Sequence, residues 1–198
     1  LTKADTITKH IGYPDELLDD KKIEKFYSTL DDSSNNYMTA ATALSMFFVE
    51  YYFKQLREPV NKTNWIDHGY TIAVNAFYSP SENSIQFPAG ILQGVFFSAE
   101  RPNYMNYGGI GYVIGHEVIH AFDDEGSQFD KDGNLNDWWE KATRDSFTKK
   151  AQCIVDQYGN VTVPEINQNL NGINSQGENI ADAGGVNQAY LAYVSWVE

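Results

Sequence analysis

The 198-residue sequence contains a single cysteine, Cys153, and no apolar run long enough to span a bilayer. A lone cysteine cannot form an internal disulfide, which favours a reducing compartment or a partner thiol outside the chain. The most apolar stretch, Ala40 to Phe53, contains Glu50 and is too short for a transmembrane helix. Residues Leu1 to His10 lack the basic and apolar regions of a signal peptide, and the first residue is not Met. These absences indicate a start within a longer protein and no membrane span in this chain.

Basic residues are also scarce. The chain has 14 Lys and Arg against 27 Asp and Glu, which gives a formal net charge of -13. This charge repels phosphate backbones, so we expect no nucleic-acid partner. Two sequons, Asn61-Lys62-Thr63 and Asn160-Val161-Thr162, favour secretion. They oppose the inference from the lone cysteine, and neither observation decides the compartment by itself.

Length and a hydrophobic fraction of 42% predict one globular unit over residues 1–198. Apolar residues at helical spacing, and β-branched and aromatic runs ending at turn residues, predict its helices and strands. The predicted helices are Tyr37 to Leu56, a weaker one at Asp15 to Leu30, Ile110 to Phe122 and Gly177 to Trp196; the predicted strands are Thr71 to Tyr78 and Ser84 to Phe87.

The pattern HExxH lies inside one predicted helix, at His116-Glu117-Val118-Ile119-His120. Residues four apart share a helix face, so both imidazoles can reach one ion. A shuffled chain of this composition would contain the pattern about four times in a thousand, which makes chance a poor explanation. The alternative is a buried helix whose two histidines are satisfied by neighbouring groups. A catalytic zinc ion needs a third protein ligand and leaves its fourth position to water.

The third ligand has to come from elsewhere in the chain. The metzincin pattern would place Gly three residues and His six residues after the second His, but Asp123 and Gly126 occupy these positions. A carboxylate from another helix is the remaining source, and Glu178 and Asp182 stand four apart in the last predicted helix. Without the HExxH motif, a solvated acidic face would be a viable alternative interpretation of the pair.

In this arrangement Glu178 binds the metal, while Asp182 accepts the outward N–H of one ligating histidine and fixes its tautomer. Asp123 can do the same for the other histidine. Small residues after Asp182, at Ala183, Gly184 and Gly185, allow the two helices to approach closely.

Two other features are weaker candidates for metal sites. The run Asp130 to Asn136 resembles a calcium loop, but its glycine stands at the fourth position rather than the sixth, and Lys141 stands where a bidentate Glu is needed. An exposed turn explains it better. His10 and His68 have no ligand-like neighbours in the sequence, and we expect both at the surface.

Five segments together resemble the neprilysin family of zinc metallopeptidases, which includes the endothelin-converting enzymes. They run through most of the chain after residue 70, and their order and spacing are far more specific than HExxH alone. The segments are VNAFYSP at Val74 to Pro80, FPAGILQ at Phe87 to Gln93, NYGGIGYVIGHEVIHAFDDEG at Asn106 to Gly126, KDGNLNDWW at Lys131 to Trp139, and NGINSQGENIADAGG at Asn171 to Gly185.

The resemblance implies an α+β, mainly helical, thermolysin-like fold with a small sheet whose edge binds substrate. It implies one Zn²⁺ per chain, held by His116, His120 and Glu178, with Glu117 as general base. Asp123 and Asp182 would orient the histidines, in agreement with the inference from spacing. The remaining implied roles are in peptide substrate binding: Asn75 and Ala76 grip the backbone, and Ile91, Phe96 and Val113 line the apolar pocket for the residue after the cut. Plain core packing is the alternative role of those three residues.

The resemblance also implies that this chain is a partial catalytic domain. An N-terminal cap domain and a C-terminal segment, including a His and an Arg that contact substrate, would lie outside it. Cys153 matches a half-cystine whose partner lies in that C-terminal segment, which would reconcile the single thiol with the sequons. The implied location is the extracellular face of the cell membrane, as a type II ectodomain, or the secreted state.

The expected activity is hydrolysis of oligopeptides on the amino side of hydrophobic residues, with Glu117 assisting the attack of water. A rival hypothesis is a non-catalytic homologue that keeps zinc for structure or peptide binding. A structural zinc site has no need of a carboxylate next to an open metal position, so Glu117 favours the enzyme. A third hypothesis, an interaction domain without metal, is decided by measuring bound zinc.

Overall fold

The computed structural model describes residues 2–31, 35–62 and 71–198. Seven α-helices and five strands lie within them. The helices are α1 (Thr2–Asp5), α2 (Asp20–Phe26), α3 (Tyr37–Gln55), α4 (Asn103–Asn106), α5 (Tyr112–His120), α6 (Lys141–Gly159) and α7 (Gln176–Val197), and the strands are β1 (Thr8–Gly12), β2 (Phe77–Ser79), β3 (Ser84–Pro88), β4 (Thr162–Val163) and β5 (Gln168–Asn169). A π-helical turn, Tyr107–Gly111, joins α4 to α5. The α+β, mainly helical class is confirmed.

Contacts between residues divide the chain into two compact units, Tyr13–Gly69 and the combination of Leu1–Gly12 with Tyr70–Glu198. The smaller unit contains α2 and α3, whose aromatic rings pack together: Phe26 lies 5.6 Å from Phe47 and 5.1 Å from Tyr51 between ring centroids. The predicted helix at Tyr37 to Leu56 is confirmed as α3.

The weaker helix predicted at Asp15 to Leu30 forms only in part. A short 3₁₀ turn, Asp15–Leu18, precedes α2, and the break falls at Asp19. Asp19 adopts an extended backbone and its carboxylate accepts hydrogen bonds from the N–H groups of Lys21 and Lys22 at 3.1 and 3.3 Å. Because this side chain caps a new helix, the residues from Asp15 to Leu30 do not form one continuous helix.

The larger unit contains a three-stranded sheet in the order β1-β3-β2 and a separate hairpin of β4 and β5. Strand β3 lies in the middle; β1 pairs with it in parallel and β2 pairs with it antiparallel. The second predicted strand is confirmed as β3, which is buried along its whole length. The sheet packs on a core that also includes residues of the π-helical turn and of the segment after α5. The buried residues of that core are Ile7, Ala76, Ile85, Phe87, Ile91, Ile110 and Ala121.

The strand predicted at Thr71 to Tyr78 is mostly wrong, since regular pairing begins only at Phe77. Strand β2 pairs Phe77 with Gln86 of β3. Extending this antiparallel pairing towards Thr71 would bring it to Pro88, which has no N–H to donate. The chain also turns there, and the N–H of Gly90 donates to the carbonyl of Thr71 at 3.0 Å.

The prediction that His10 lies at the surface is wrong. His10 is the middle residue of β1, opposite Gln86 of β3, and it is buried. Alternation along β1 directs it inwards. His68 lies outside the described residues. The predictions also missed six elements. Five of them are short, with two to five residues each, and α6 is a mostly polar helix; the six are α1, α4, α6, β1, β4 and β5.

Candidate metal centre

Helix α5 carries both histidines of the HExxH pattern on one face. Their rings lie 4.5 Å apart between centroids and are nearly perpendicular, and the two Nε2 atoms are 2.9 Å apart. Helical periodicity places residues four apart one above the other, as expected from the spacing. The predicted helix, Ile110 to Phe122, corresponds to the second half of the π-helical turn followed by α5.

Helix α7 crosses α5 at a pair of glycines. A Cβ atom on Gly115 would stand 2.7 Å from the carbonyl oxygen of Gly185, and one on Gly185 would stand 2.7 Å from the backbone nitrogen of His116. Neither position has room for a side chain, so the backbones are in direct contact. The expected close approach of the helices at Gly184 and Gly185 matches this geometry, and Gly115 is the partner that the sequence analysis did not single out.

The crossing brings Glu178, in the first turn of α7, opposite the two histidines. Its Oε2 lies 3.3 Å from Nε2 of His116 and 3.7 Å from Nε2 of His120. The Glu178 side chain is 70% exposed, whereas the histidine side chains are mostly buried. The three predicted ligands therefore form one group that opens to solvent on the glutamate side.

Two aspartates fix which histidine nitrogen carries the proton. Nδ1 of His116 lies 3.0 Å from Oδ1 of Asp182, and Nδ1 of His120 lies 2.7 Å from Oδ2 of Asp123. A carboxylate accepts, so each neutral ring carries its proton on Nδ1 and presents the lone pair of Nε2. The structure thus places Asp123 and Asp182 beside the histidines as the spacing predicted.

This donor set fits zinc. Three potential lone-pair donors face one another at 2.9 to 3.7 Å, an arrangement that repels itself unless a proton or a metal cation lies between them. A tetrahedral zinc ion with bonds of about 2.0–2.2 Å spaces its ligands about 3.3–3.6 Å apart. Two imidazoles with one carboxylate leave the fourth position open, as catalytic zinc requires.

Glu117 lies between the histidines in sequence and is only 5% exposed. Burial raises its pKa from 4.5 to about 7; the charge of His120 opposes this rise, and that of Glu178 adds to it. For His120, burial lowers the pKa, but the hydrogen bond and charge of Asp123, with the charges of Glu117 and Glu178, outweigh it and raise the pKa above 6.5. The site thus holds one carboxyl group poised to exchange a proton near neutral pH.

Asp123 is held by the turn after α5. Its Oδ1 accepts from the backbone N–H groups of Glu125 at 2.9 Å and Gly126 at 2.7 Å. Residue 126 has to be glycine, because a Cβ there would overlap the carbonyl oxygen of His120. Lys3 stabilises this turn from the opposite end of the sequence and is only 3% exposed. Its Nζ donates hydrogen bonds to the carbonyls of Ala121, Gly126 and Phe129 at 2.7 to 2.8 Å.

The residues expected to contact substrate lie near the sheet. Asn75 is exposed just before β2, and its side-chain oxygen accepts from the N–H of Ala76 at 3.0 Å. Ala76 and Ile91 are buried in the core, and Phe96 and Val113 are partly buried against it. The structure therefore gives Ile91 a packing role, and pocket roles for these residues stay predictions.

Two residues at this site were missed by sequence reasoning. Tyr112 donates its hydroxyl to Oδ1 of Asp182, and Lys3 supports the Asp123 turn across more than a hundred residues. Tyr112 stands four residues before His116, so helical spacing could have indicated it. No local signal exists for Lys3.

A helix carrying HExxH that faces a glutamate on a second helix is the arrangement of zinc peptidases with two His ligands and one Glu ligand. The family model described as Peptidase family M13 matches residues 75–197. This chain belongs to Peptidase family M13.

The chain is 55% identical over 196 residues to Neprilysin-2 of Drosophila melanogaster, covering 99% of the chain and 25% of the relative. It is 47% identical over 198 residues to Neprilysin of Homo sapiens, covering 99% of the chain and 26% of the relative. The resemblance to the neprilysin family is confirmed. The chain spans about a quarter of the length of these curated relatives.

Solved structures show the same fold. PepO from Lactobacillus rhamnosis matches with a TM-score of 0.84 and 33% identity, over 96% of this chain and 29% of that one. The zinc metalloprotease Zmp1 of Mycobacterium tuberculosis, in complex with inhibitor, matches with a TM-score of 0.76 and 32% identity, over 100% of this chain and 29% of that one. The predicted thermolysin-like metallopeptidase fold is confirmed.

Cys153 lies exposed on α6 and is the single cysteine of the sequence. The predicted disulfide with a C-terminal segment therefore gains no support. None of the helices in the described ranges has the length and apolar character needed to cross a membrane.

Proposed function

We propose that this chain is the catalytic part of a zinc-dependent endopeptidase that hydrolyses oligopeptides. The observation that carries the proposal is the convergence of His116, His120 and Glu178, with their lone pairs facing one point, beside the buried Glu117. Membership of Peptidase family M13 supports it. One zinc ion per chain fits the single group of this kind among the described residues.

The mechanism assigns a separate task to each side chain. Zinc held by His116, His120 and Glu178 would act as a Lewis acid for the peptide carbonyl and the attacking water. Glu117 takes a proton from that water and delivers it to the leaving nitrogen. In the metal-free protein its pKa is about 7, raised chiefly by burial, which suits transfer in both directions at neutral pH. Asp123 and Asp182 keep Nδ1 of each histidine protonated, and therefore keep Nε2 free to bind.

Substrate would bind along the outer edge of β2. In the described ranges β2 is an edge strand in the order β1-β3-β2, and an extended peptide could align beside it, next to Asn75 and Ala76, with backbone hydrogen bonds. Exposed Asn75 would contribute its side-chain amide, and Ala76 its backbone. Phe96 and Val113 lie partly buried against the core that contains Ile91, and their remaining apolar surface could contact a hydrophobic residue after the scissile bond.

The test of catalysis is Glu117→Gln in the full-length protein, with Glu140→Gln, an exposed glutamate before α6, as control. We expect Glu117→Gln to bind zinc as wild type does and to lose nearly all kcat, because the ligands survive while the base does not. Chelation should abolish wild-type turnover, and zinc should restore it.

The rival function is a zinc-retaining homologue that binds peptides without cutting them. It would be favoured if wild-type protein with stoichiometric zinc left every peptide of a mixed-sequence library intact. Turnover by Glu117→Gln equal to that of Glu140→Gln would remove Glu117 from its role. Full activity of zinc-free protein would refute the metal mechanism.

The proposed location is outside the cell, on a membrane-anchored or secreted protein. Both sequon asparagines, Asn61 and Asn160, are exposed, so glycans could be accommodated at these positions. A disulfide from Cys153 to another part of the full-length protein belongs to the same proposal. Mass spectrometry of the secreted protein, before and after glycan removal and reduction, tests both modifications: unmodified asparagines and a free thiol would contradict this location.

A further inference from the structure

The two aspartates that orient the histidines are anchored in different ways. Asp123 is buried and receives two backbone N–H groups within its own turn. Asp182 lies in α7, and its side chain is 48% exposed. Its described hydrogen-bond partners are two side chains of α5, His116 and Tyr112, and both reach the same oxygen, Oδ1.

Tyr112 and His116 stand one helical turn apart on α5, so a single carboxylate on α7 can join them. The two rings meet edge to face, with centroids 6.1 Å apart and planes at 64°. Oδ1 of Asp182 accepts from the Tyr112 hydroxyl as well as from Nδ1–H of His116. The second donor keeps the carboxylate in the orientation in which it binds the imidazole. An exposed carboxylate without the hydroxyl would be free to turn towards water.

We propose that Tyr112 is a positioning residue of the metal centre, whose hydroxyl holds the Asp182 carboxylate in the orientation that presents Nε2 of His116 to zinc. The inference rests on the proposed metal site but not on turnover. The hydrogen bond to Asp182, with burial, raises the pKa of Tyr112 to about 12, so the hydroxyl keeps its proton across the neutral range.

A second effect acts in the opposite direction. A hydroxyl that donates to Oδ1 withdraws charge from the oxygen that polarises His116, so its removal makes the acceptor stronger. Because Asp182 is half-exposed and has no backbone donor within the described hydrogen bonds, we expect its orientation to matter more. Removing the hydroxyl should therefore weaken zinc binding.

The test is Tyr112→Phe in the full-length protein, which removes one oxygen and keeps the ring. Tyr190→Phe is the control, because Tyr190 is an exposed tyrosine on α7. Zinc affinity is measured by competition with a chromophoric chelator, and Co²⁺ is substituted to record the visible spectrum of the site. We expect zinc binding about 3- to 10-fold weaker in Tyr112→Phe, less than the roughly 10- to 100-fold typical of a partner that contacts the ligand directly. The Co²⁺ bands should shift in this variant and stay in place in Tyr190→Phe.

A double-mutant cycle with Asp182→Ala separates positioning from general stabilisation. If Tyr112 acts through Asp182, then Tyr112→Phe changes neither zinc affinity nor the Co²⁺ spectrum in the Asp182→Ala background. The same loss in both backgrounds, or an unchanged affinity in Tyr112→Phe alone, would overturn the inference. A lower metal-free Tm with unchanged affinity would also overturn it, since that is a structural role. If wild-type protein binds zinc without cutting peptides, only the proposed peptidase activity is refuted. If it binds no zinc, both that activity and the role of Tyr112 are refuted.

Discussion

The crossing of α5 and α7 offers a test of how the metal centre is built, through Gly185→Ala. The added Cβ would stand 2.7 Å from the backbone nitrogen of His116, 3.0 Å from the carbonyl oxygen of Tyr112 and 3.1 Å from Cα of His116. The first distance is about 0.7 Å short of ordinary van der Waals contact. All three atoms belong to the backbone of α5 and cannot rotate away, so the helices have to separate.

The separation should act on zinc more than on folding. Overpacking costs about 1–3 kcal/mol, but replacing glycine by alanine inside a helix returns about 1 kcal/mol. Glu178 lies on α7 and the two histidines lie on α5, and zinc bond lengths tolerate only about 0.2 Å. A shift of about 0.7 Å therefore stretches the ligand set beyond that tolerance. We expect zinc affinity to fall at least about 10-fold, which is about 1.4 kcal/mol.

The assay compares zinc affinity and metal-free thermal unfolding of Gly185→Ala in the full-length protein. The control is Gly108→Ala, in the π-helical turn before α5, because a Cβ there meets no atom within 4 Å. Its zinc affinity should equal that of wild type. If Gly185→Ala binds zinc as tightly as Gly108→Ala does, the direct backbone contact does not set the position of Glu178. If both variants lose affinity equally, the crossing is not the cause.

Three further predictions concern single side chains. Asp182→Ala should weaken zinc binding roughly 10- to 100-fold and Glu178→Ala should weaken it more, because only the second removes a ligand; equal losses in a zinc titration would contradict this. In metal-free protein, the raised pKa of Glu117 means that its contribution to stability is full below about pH 4.5 and lost as the pH rises through about 7. Glu117→Gln should therefore gain stability over wild type between pH 5 and 8, by up to about 3 kcal/mol in chemical denaturation, and a pH-independent difference would refute the shift. Lys3→Met should cost about 2–5 kcal/mol by leaving buried carbonyls without donors, whereas Lys9→Met, at an exposed lysine, should cost little; similar denaturation midpoints would contradict it.

Helical periodicity explains why the grouping of the candidate metal ligands was predictable from sequence. The pairs His116 with His120, and Glu178 with Asp182, each stand four residues apart, and that spacing alone places both members of a pair on one face. The meeting of the two faces was predictable only because HExxH demands a third ligand and glycines follow Asp182. Local spacing thus predicted which side chains share a helix face, and the need for a third ligand predicted that the two helices meet.

The β structure was harder to predict because it depends on partners. The run Thr71 to Tyr78 has strong strand propensity, yet among the described residues its ladder pairing covers only Phe77 and Tyr78, and Pro88 and the following turn end it. Strand β1 has weak propensity but gains five paired residues from its parallel alignment with β3. Strand propensity measures how well a side chain fits a half-buried, pleated surface, and only the tertiary fold decides which segments form such a surface.

Lys3 marks the point at which sequence reasoning stops. Near the first residue of the chain, in a four-residue helix, a lysine is ordinarily assigned to solvent. The fold instead buries it under the turn that holds Asp123, where three carbonyl oxygens replace its hydration shell. Burial lowers its pKa from 10.5 to about 8, against the opposing charges of Asp123 and Asp130, so the cation is retained at neutral pH. The partner of His120 therefore depends on a charge more than a hundred residues away, in a relation that no local motif encodes.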